Sequence, residues 1–277
     1  MPLRRAAVAG SWYPAVPERL TAALEGYLKH ADQHRRPRPP DDARITALIA
    51  PHAGLMYSGP VAAYAYLLLR ERSYDVIALV GPSHYVPFEG ASIWASGSFE
   101  TPLGNLAIDE ELAAHIIEGC TLVRELPEAH DREHSLEMQL PFLACLAPHA
   151  PIVPIVMGHQ TRATALTLGD CLARVLANRR ALLIASSDLS HFFDAAQAAF
   201  LDAQVIEDVE MLDPGRLMTR LERRPDHACG GGPMVSVMHA ARTLGATASR
   251  VLYYGDSGDV SGDKGSVVGY LAAALWQ

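Results

Sequence analysis

Three short apolar runs end in polar residues that can do chemistry. Residues 45–50 (ITALIA) lead into Pro51-His52-Ala53-Gly54, residues 76–80 (VIALV) into Gly81-Pro82-Ser83-His84, and residues 181–185 (ALLIA) into Ser186-Ser187-Asp188-Leu189-Ser190-His191. If these runs are parallel strands of an open sheet, their carboxyl ends form one rim, where such sheets bind ligands. His52, His84, Asp188 and His191 then converge, and Ser83, beside His84, is a fifth candidate. Imidazole is the commonest metal ligand and titrates close to neutral pH, and a carboxylate beside it can exchange protons. One strand-end histidine is more often a hydrogen-bonded loop residue, but three runs with the same ending favour a site. His159 follows a fourth run, residues 152–157 (IVPIVM), and its polar neighbours place it in solvent or behind the site.

Two further segments carry reactive side chains. Asp226-His227-Ala228-Cys229-Gly230-Gly231-Gly232-Pro233 runs into a helical pattern, with Pro233 suited to a first turn. Cys229 thus stands near a helix N-terminus, where partial positive charge lowers a thiol pKa and favours a thiolate that binds metals or attacks electrophiles. The plainer reading of the glycines is close backbone packing. In Glu133-His134-Ser135-Leu136-Glu137, His134 and Glu137 are three apart and would share a helical face. Such a pair supplies a general acid or base, or a carboxylate that orients a ligating imidazole. The plainer reading there is an exposed first helical turn.

The elements that must hold these residues follow from hydrophobic spacing. Short β-branched runs at 45–50, 76–80, 152–157, 181–185 and 251–254 read as buried strands. Helical spacing covers 18–30, 61–72, 109–118, 135–146, 163–176, 195–212 and 233–244. The alternation predicts a single α/β domain over residues 1–277, with a mostly parallel central sheet and helices on both faces. Residues 92–109, punctuated by Gly and Pro, suggest a hairpin or an antiparallel edge addition. Residues 34–42, with Pro37, Pro39 and Pro40, read as a solvated connector.

Composition narrows the functional classes. With 49% hydrophobic and 19% charged residues, the 277-residue chain has ample core material and is not disordered. A formal charge of −8 argues against a nucleic-acid partner. No apolar run is long enough to span a membrane and the start lacks a secretory core, so a cytoplasmic location and no membrane partner are expected. Cys120, Cys145, Cys171 and Cys229 are widely spaced and are expected to be reduced thiols.

Gly10-Ser11-Trp12-Tyr13-Pro14, APHAG around His52, GPSHYVP around His84, EHSLEMQLPFL around His134, SSDLSH around Asp188 and the Cys229-Gly230 step span nearly the whole chain. Together they closely resemble the Memo-like family, whose bacterial members are often labelled AmmeMemoRadiSam system protein B. The resemblance implies a fold similar to class III extradiol dioxygenases, with a metal-binding pocket at the equivalent place. Carried over by motif, the family's metal ligands correspond to His52, His84 and Cys229, and Asp188 and His191 line the same pocket. The related dioxygenases hold non-haem iron with two histidines and a glutamate; Cys229 stands where that carboxylate is expected.

The resulting expectation is one transition metal, iron first with copper or zinc as alternatives, in an oxidoreductase acting on an unknown small molecule. His134, His191 and Asp188 would be its catalytic residues. The alternatives are a non-catalytic metal- or peptide-binding protein using the same pocket, and a metal-dependent hydrolase with Asp188 as base. The family resemblance also implies functional association with radical SAM and AMMECR-type proteins.

Overall fold

The register of four neighbouring strands decides where the chemistry lies. The structure, a computed structural model, describes residues 2–34 and 38–277; Arg35, Arg36 and Pro37 of the expected connector lie outside the described residues. In chain order the strands are β1 (Leu3–Arg4), β2 (Ile45–Ala50), β3 (Val76–Pro82), β4 (Ala91–Ile93), β5 (Ser98–Phe99), β6 (Leu106–Ala107), β7 (Val123–Arg124), β8 (Ile152–Met157), β9 (Ala181–Ser186), β10 (His191–Phe193), β11 (Ala248–Asp256) and β12 (Val267–Trp276). The helices are α1 (Pro17–Gln33), α2 (Leu55–Tyr66), α3 (Glu110–Gly119), α4 (Glu128–Asp131), α5 (Leu140–Leu146), α6 (Arg162–Leu176), α7 (Ala195–Glu210), α8 (Pro214–Arg223), α9 (Gly231–Thr243) and α10 (Gly258–Ser261).

A nine-stranded mixed sheet runs in the order β10-β12-β2-β9-β3-β8-β4-β7, with β11 added on β12; β1, β5 and β6 form a small sheet of their own. At its centre β2, β9, β3 and β8 are mutually parallel and buried at every position. Strands covered on both faces need no alternation of polar and apolar residues, which explains their continuous apolar runs. Ala50 lies opposite Ser186, Val80 opposite Ala185 and Pro82 opposite Met157. The chain therefore leaves these strands nearly level, and His52, His84 and Asp188 start from one rim.

Helices cover this centre. α9 packs on β2, β3 and β9 and is backed by α6 and α8, whereas α2 packs on β2, β11 and β12 and is backed by α1 and α5. One continuous hydrophobic core results. No helix among the described residues is long and apolar enough to cross a membrane.

The sheet becomes mixed at the flanks, where only the outer β4–β7 pair is again parallel. β4 pairs antiparallel with β8, and β12 pairs antiparallel with β2, β10 and β11. Residues 92–109 supply an antiparallel addition, β4, which joins β8 with only β7 outside it, and the β5–β6 hairpin. The expected strand at 251–254 extends over Ala248–Asp256 and is the outer partner of β12. The helix expected at 61–72 begins at Leu55 and runs through Pro60. The carbonyl that Pro60 leaves without a donor belongs to Met56, an exposed residue that water can reach.

Candidate metal centre

The rim brings His52, His84 and Cys229 together: one potential ligand atom from each lies within 4.8 Å of the others. His52 leaves β2 and is buried at 1% exposure. Its Nδ1 lies 2.8 Å from Ser186 Oγ. The Ser186 hydroxyl donates its single hydrogen to Ser135 O at 2.6 Å and accepts from Gln139 Nε2 at 2.7 Å. Tyr66 fixes Gln139 in that sense by donating to its Oε1 at 2.7 Å. Having spent its hydrogen, Ser186 can only accept from His52, so Nδ1 carries the proton and Nε2 keeps a free lone pair. That lone pair faces Cys229 Sγ at 3.2 Å. Burial, reinforced by His84, holds the His52 pKa down to about 3, so the ring is neutral at neutral pH.

His84 is oriented by Glu133. The carboxylate accepts from His84 Nδ1 at 2.8 Å, from His84 N at 2.6 Å and from Ser135 N at 2.9 Å. Burial opposes its charge, but these hydrogen bonds and the His84 ring hold the Glu133 pKa down to about 2. A carboxylate on one ring nitrogen fixes the tautomer and makes the other nitrogen a better metal donor.

Cys229 is set by the turn before α9. Its N–H donates to Asp188 O at 3.2 Å, and the Asp188 N–H points at Sγ from 3.3 Å. The glycines after it serve close approach: a Cβ at Gly230 would lie 2.2 Å from Ser186 O, and one at Gly232 would lie 2.7 Å from Met157 Sδ. The expected lowering of the Cys229 pKa by the helix start is corrected by the structure. Burial, followed by the neighbouring Asp188 carboxylate, pushes the thiol up and outweighs the hydrogen-bond donors around it, although Cys229 directly precedes the α9 N-cap Gly230. A metal arriving here must displace a thiol proton.

The expected acid–base residues surround this group. His134 is buried, stacks on His84 with centroids 4.4 Å apart, and lies edge-on to His52 at 5.5 Å. Trp12 lies against its ring at 4.3 Å, and Tyr85 Oη is 3.3 Å from its Nδ1. Burial, followed by His52 and His84, lowers its pKa to about 3. Asp188 Oδ1 accepts from His52 N at 2.7 Å and Ala53 N at 3.2 Å, and burial raises its pKa to about 6. His191 Nδ1 donates to Leu189 O at 2.7 Å, leaving Nε2 as its acceptor. A register shift between His191 and Phe193 places Phe192 at φ 66°, with its ring in solvent.

Two sequence expectations move, those for Ser83 and Glu137, while His159 takes the solvated one of its two expected places. Ser83 donates to Val86 O at 2.7 Å and closes its own turn instead of joining the group. His159 pairs with Glu89 at 2.7 Å on the surface. Glu137 does not serve His134: residues 133–134 are irregular, 135–136 form a turn, Glu137–Gln139 make a single 3-10 turn, and α5 starts only at Leu140, with Pro141 in its first turn. Glu137 accepts instead from Arg4, Ala7 N, Val8 N and Tyr13 Oη, clamping the N-terminal segment that carries Trp12. The orienting carboxylate is Glu133. Its place one residue before His134 was visible, but its partner lies 49 residues away in sequence, so spacing could not assign it.

A doubly covered α/β sheet with two tautomer-fixed histidines and a cysteine at its carboxyl rim defines a candidate N,N,S metal-site protein. The chain matches the family model described as Memo-like protein over residues 4–274, and it belongs to the Memo-like family. It is 38% identical over 275 residues to a MEMO1 family protein of Methanosarcina mazei, covering 98% of each chain. It is 37% identical over 282 residues to a MEMO1 family protein of Aeropyrum pernix, covering 99% of this chain and all of that one. Among solved structures, an uncharacterized Escherichia coli K12 protein aligns with a TM-score of 0.58 at 15% identity, over 83% of this chain and 99% of that chain. At that identity the likeness concerns the fold.

Proposed function

We propose that this protein binds one transition-metal ion through His52 Nε2, His84 and Cys229 and uses it in redox chemistry on a small molecule. The observation that carries the reading is the Tyr66–Gln139–Ser186 relay, which holds the proton on His52 Nδ1 and leaves Nε2 bare 3.2 Å from a sulfur. Donors around a tetrahedral ion with bonds of about 2.0–2.3 Å sit roughly 3.3–3.6 Å apart, close to that spacing. Mixed imidazole and thiolate donors suit iron, copper or zinc, and redox chemistry favours iron first. When bound, such an ion supplies Lewis acidity and electron transfer.

The chain's own residues handle the protons. His134, held neutral by burial and packed on His84, can hydrogen-bond a substrate and take its proton only transiently, as charge develops in the reaction, and the Tyr85 hydroxyl lies beside its Nδ1. His191 offers its free Nε2 as a second acceptor, and Asp188 steadies the His52 loop through two backbone N–H groups. A cavity of about 500 Å³, walled by Gln160, Met218, Leu221, Ala228 and Gly232, reaches the group at Cys229 and is lined by none of His52, His84, His134, His191 or Asp188, so it approaches the site from the sulfur side. One observation favours a second reading, hydrolysis with Asp188 as base: its pKa of about 6 is poised for proton transfer near neutrality.

Protein purified without oxygen, loaded with iron and screened for oxygen uptake with candidate substrates tests the redox reading. His134→Ala and His191→Ala should keep most of the metal and lose at least about tenfold in rate, since general acid–base groups typically contribute 10²–10⁴-fold. Full activity in both variants would remove them from the chemistry. Metal uptake with neither oxidation nor hydrolysis would leave binding as the function of the site.

A further inference from the structure

We infer that Gln160 is a positioning residue for Cys229, an inference that rests on the metal-site reading above. A helix start leaves backbone N–H groups without partners, and a Ser, Thr, Asp or Asn at the N-cap ordinarily accepts from one of them. The N-cap of α9 is Gly230, which has no side chain to offer. Nothing larger fits, because a Cβ there would meet Ser186 O at 2.2 Å and the Ser187 side chain at 2.8 Å. The missing cap comes from another strand end. Gln160, in the turn after β8, accepts from Gly232 N through Oε1 at 2.7 Å. Its Nε2 donates at 2.7 Å to the carbonyl oxygen of Cys229.

One planar carboxamide thus ties the α9 start and the sulfur-bearing residue to the same rim. The approach is tight, since a Cβ at Gly232 would lie 2.9 Å from Gln160 Cβ. On its opposite side the turn is held by Ser187 Oγ, which accepts from Gly230 N at 2.9 Å. Gln160 therefore fixes the rotation of the Cys229 peptide and, through it, the direction of Sγ toward His52. It touches neither sulfur nor imidazole, so its effect is on geometry.

Two substitutions separate this role from simple helix support. Gln160→Ala removes both hydrogen bonds. Gln160→Glu keeps an acceptor for Gly232 N, favoured by the helix start, but sets a carboxylate oxygen against the Cys229 carbonyl. The probe is Co²⁺ titrated into metal-free full-length protein, followed by its sulfur-to-cobalt absorption, with thermal melts in parallel. Gln160→Ala should bind about tenfold more weakly, with a diminished sulfur band and a lower Tm. Gln160→Glu should recover the Tm but neither the affinity nor the band. Wild-type affinity and band in both variants, or recovery of affinity together with Tm in Gln160→Glu, would overturn the inference. Failure of the wild type itself to take up Co²⁺ would overturn the metal-site reading, and this inference with it.

Discussion

Glu137→Ala is expected to destabilise the protein by about 3–5 kcal/mol, the cost of leaving a buried charge without its partner. Both sides of the Arg4–Glu137 pair are buried, at 2% and 0% exposure. Arg4 would keep only carbonyl acceptors, His130 O and Glu133 O, while Ala7 N, Val8 N and Tyr13 Oη would lose their shared acceptor. At roughly 2–4 °C per kcal/mol for a chain of this size, Tm should fall by about 10 °C. The loss is local in origin, so trypsin should cut early at Arg4 and Arg5. Because this segment brings Trp12 against His134, the stability clamp is also part of the site wall. A change below about 1 kcal/mol would mean that the pair contributes no more than a surface ion pair.

Glu133→Gln is expected to weaken metal binding by about 10–100-fold, the usual effect of removing a carboxylate behind a ligating histidine. The Glu133 carboxylate accepts three N–H groups, from His84 Nδ1, His84 N and Ser135 N. A glutamine amide has one oxygen and one donor nitrogen, so at least one of those groups would face another donor. Either the His84 ring turns or its backbone loop shifts, and its ligand nitrogen moves away from His52 and Cys229. Titration of Co²⁺ against wild type and variant measures this directly. A change under threefold would show that His84 is held by its own loop rather than by Glu133.

How much of this was legible in the sequence depended on whether a signal was local. The four central strands stand out because each is a β-branched run too short for a helix, and their polar endings announced the rim with His52, His84, Asp188 and His191. β12 escaped because its sequence, VVGYLAAALW, is rich in alanine, which favours helices and is depleted in strands. Ala272, Ala273 and Ala274 are fully buried there, and β12 is flanked by β2 and β11 with α2 packed on it, so small side chains suit the position. α8 was also missed, although Asp213-Pro214 opens it as a cap and a first-turn proline, with Asp213 accepting from Arg216 N at 2.9 Å.

The same division holds for the site. The histidines could be found from strand endings, whereas the assignment of Cys229 came from motif resemblance. The supports, Glu133 for His84, Ser186 for His52 and Gln160 for Cys229, act across 49, 134 and 69 residues of sequence. No periodicity reports partners so far apart. The helix-start argument for an acidic Cys229 failed for a related reason: the dipole is local, but burial and the nearby Asp188 carboxylate are set by the fold.

The most direct test of the central claim is the metal content of the protein purified without oxygen, measured beside His52→Ala, His84→Ala and Cys229→Ala. The wild type should carry close to one transition-metal ion per chain, and each variant should fall to a small fraction of that while still folding. Equal metal content in all four proteins, or none in the wild type after loading with iron, copper and zinc in turn, would contradict it.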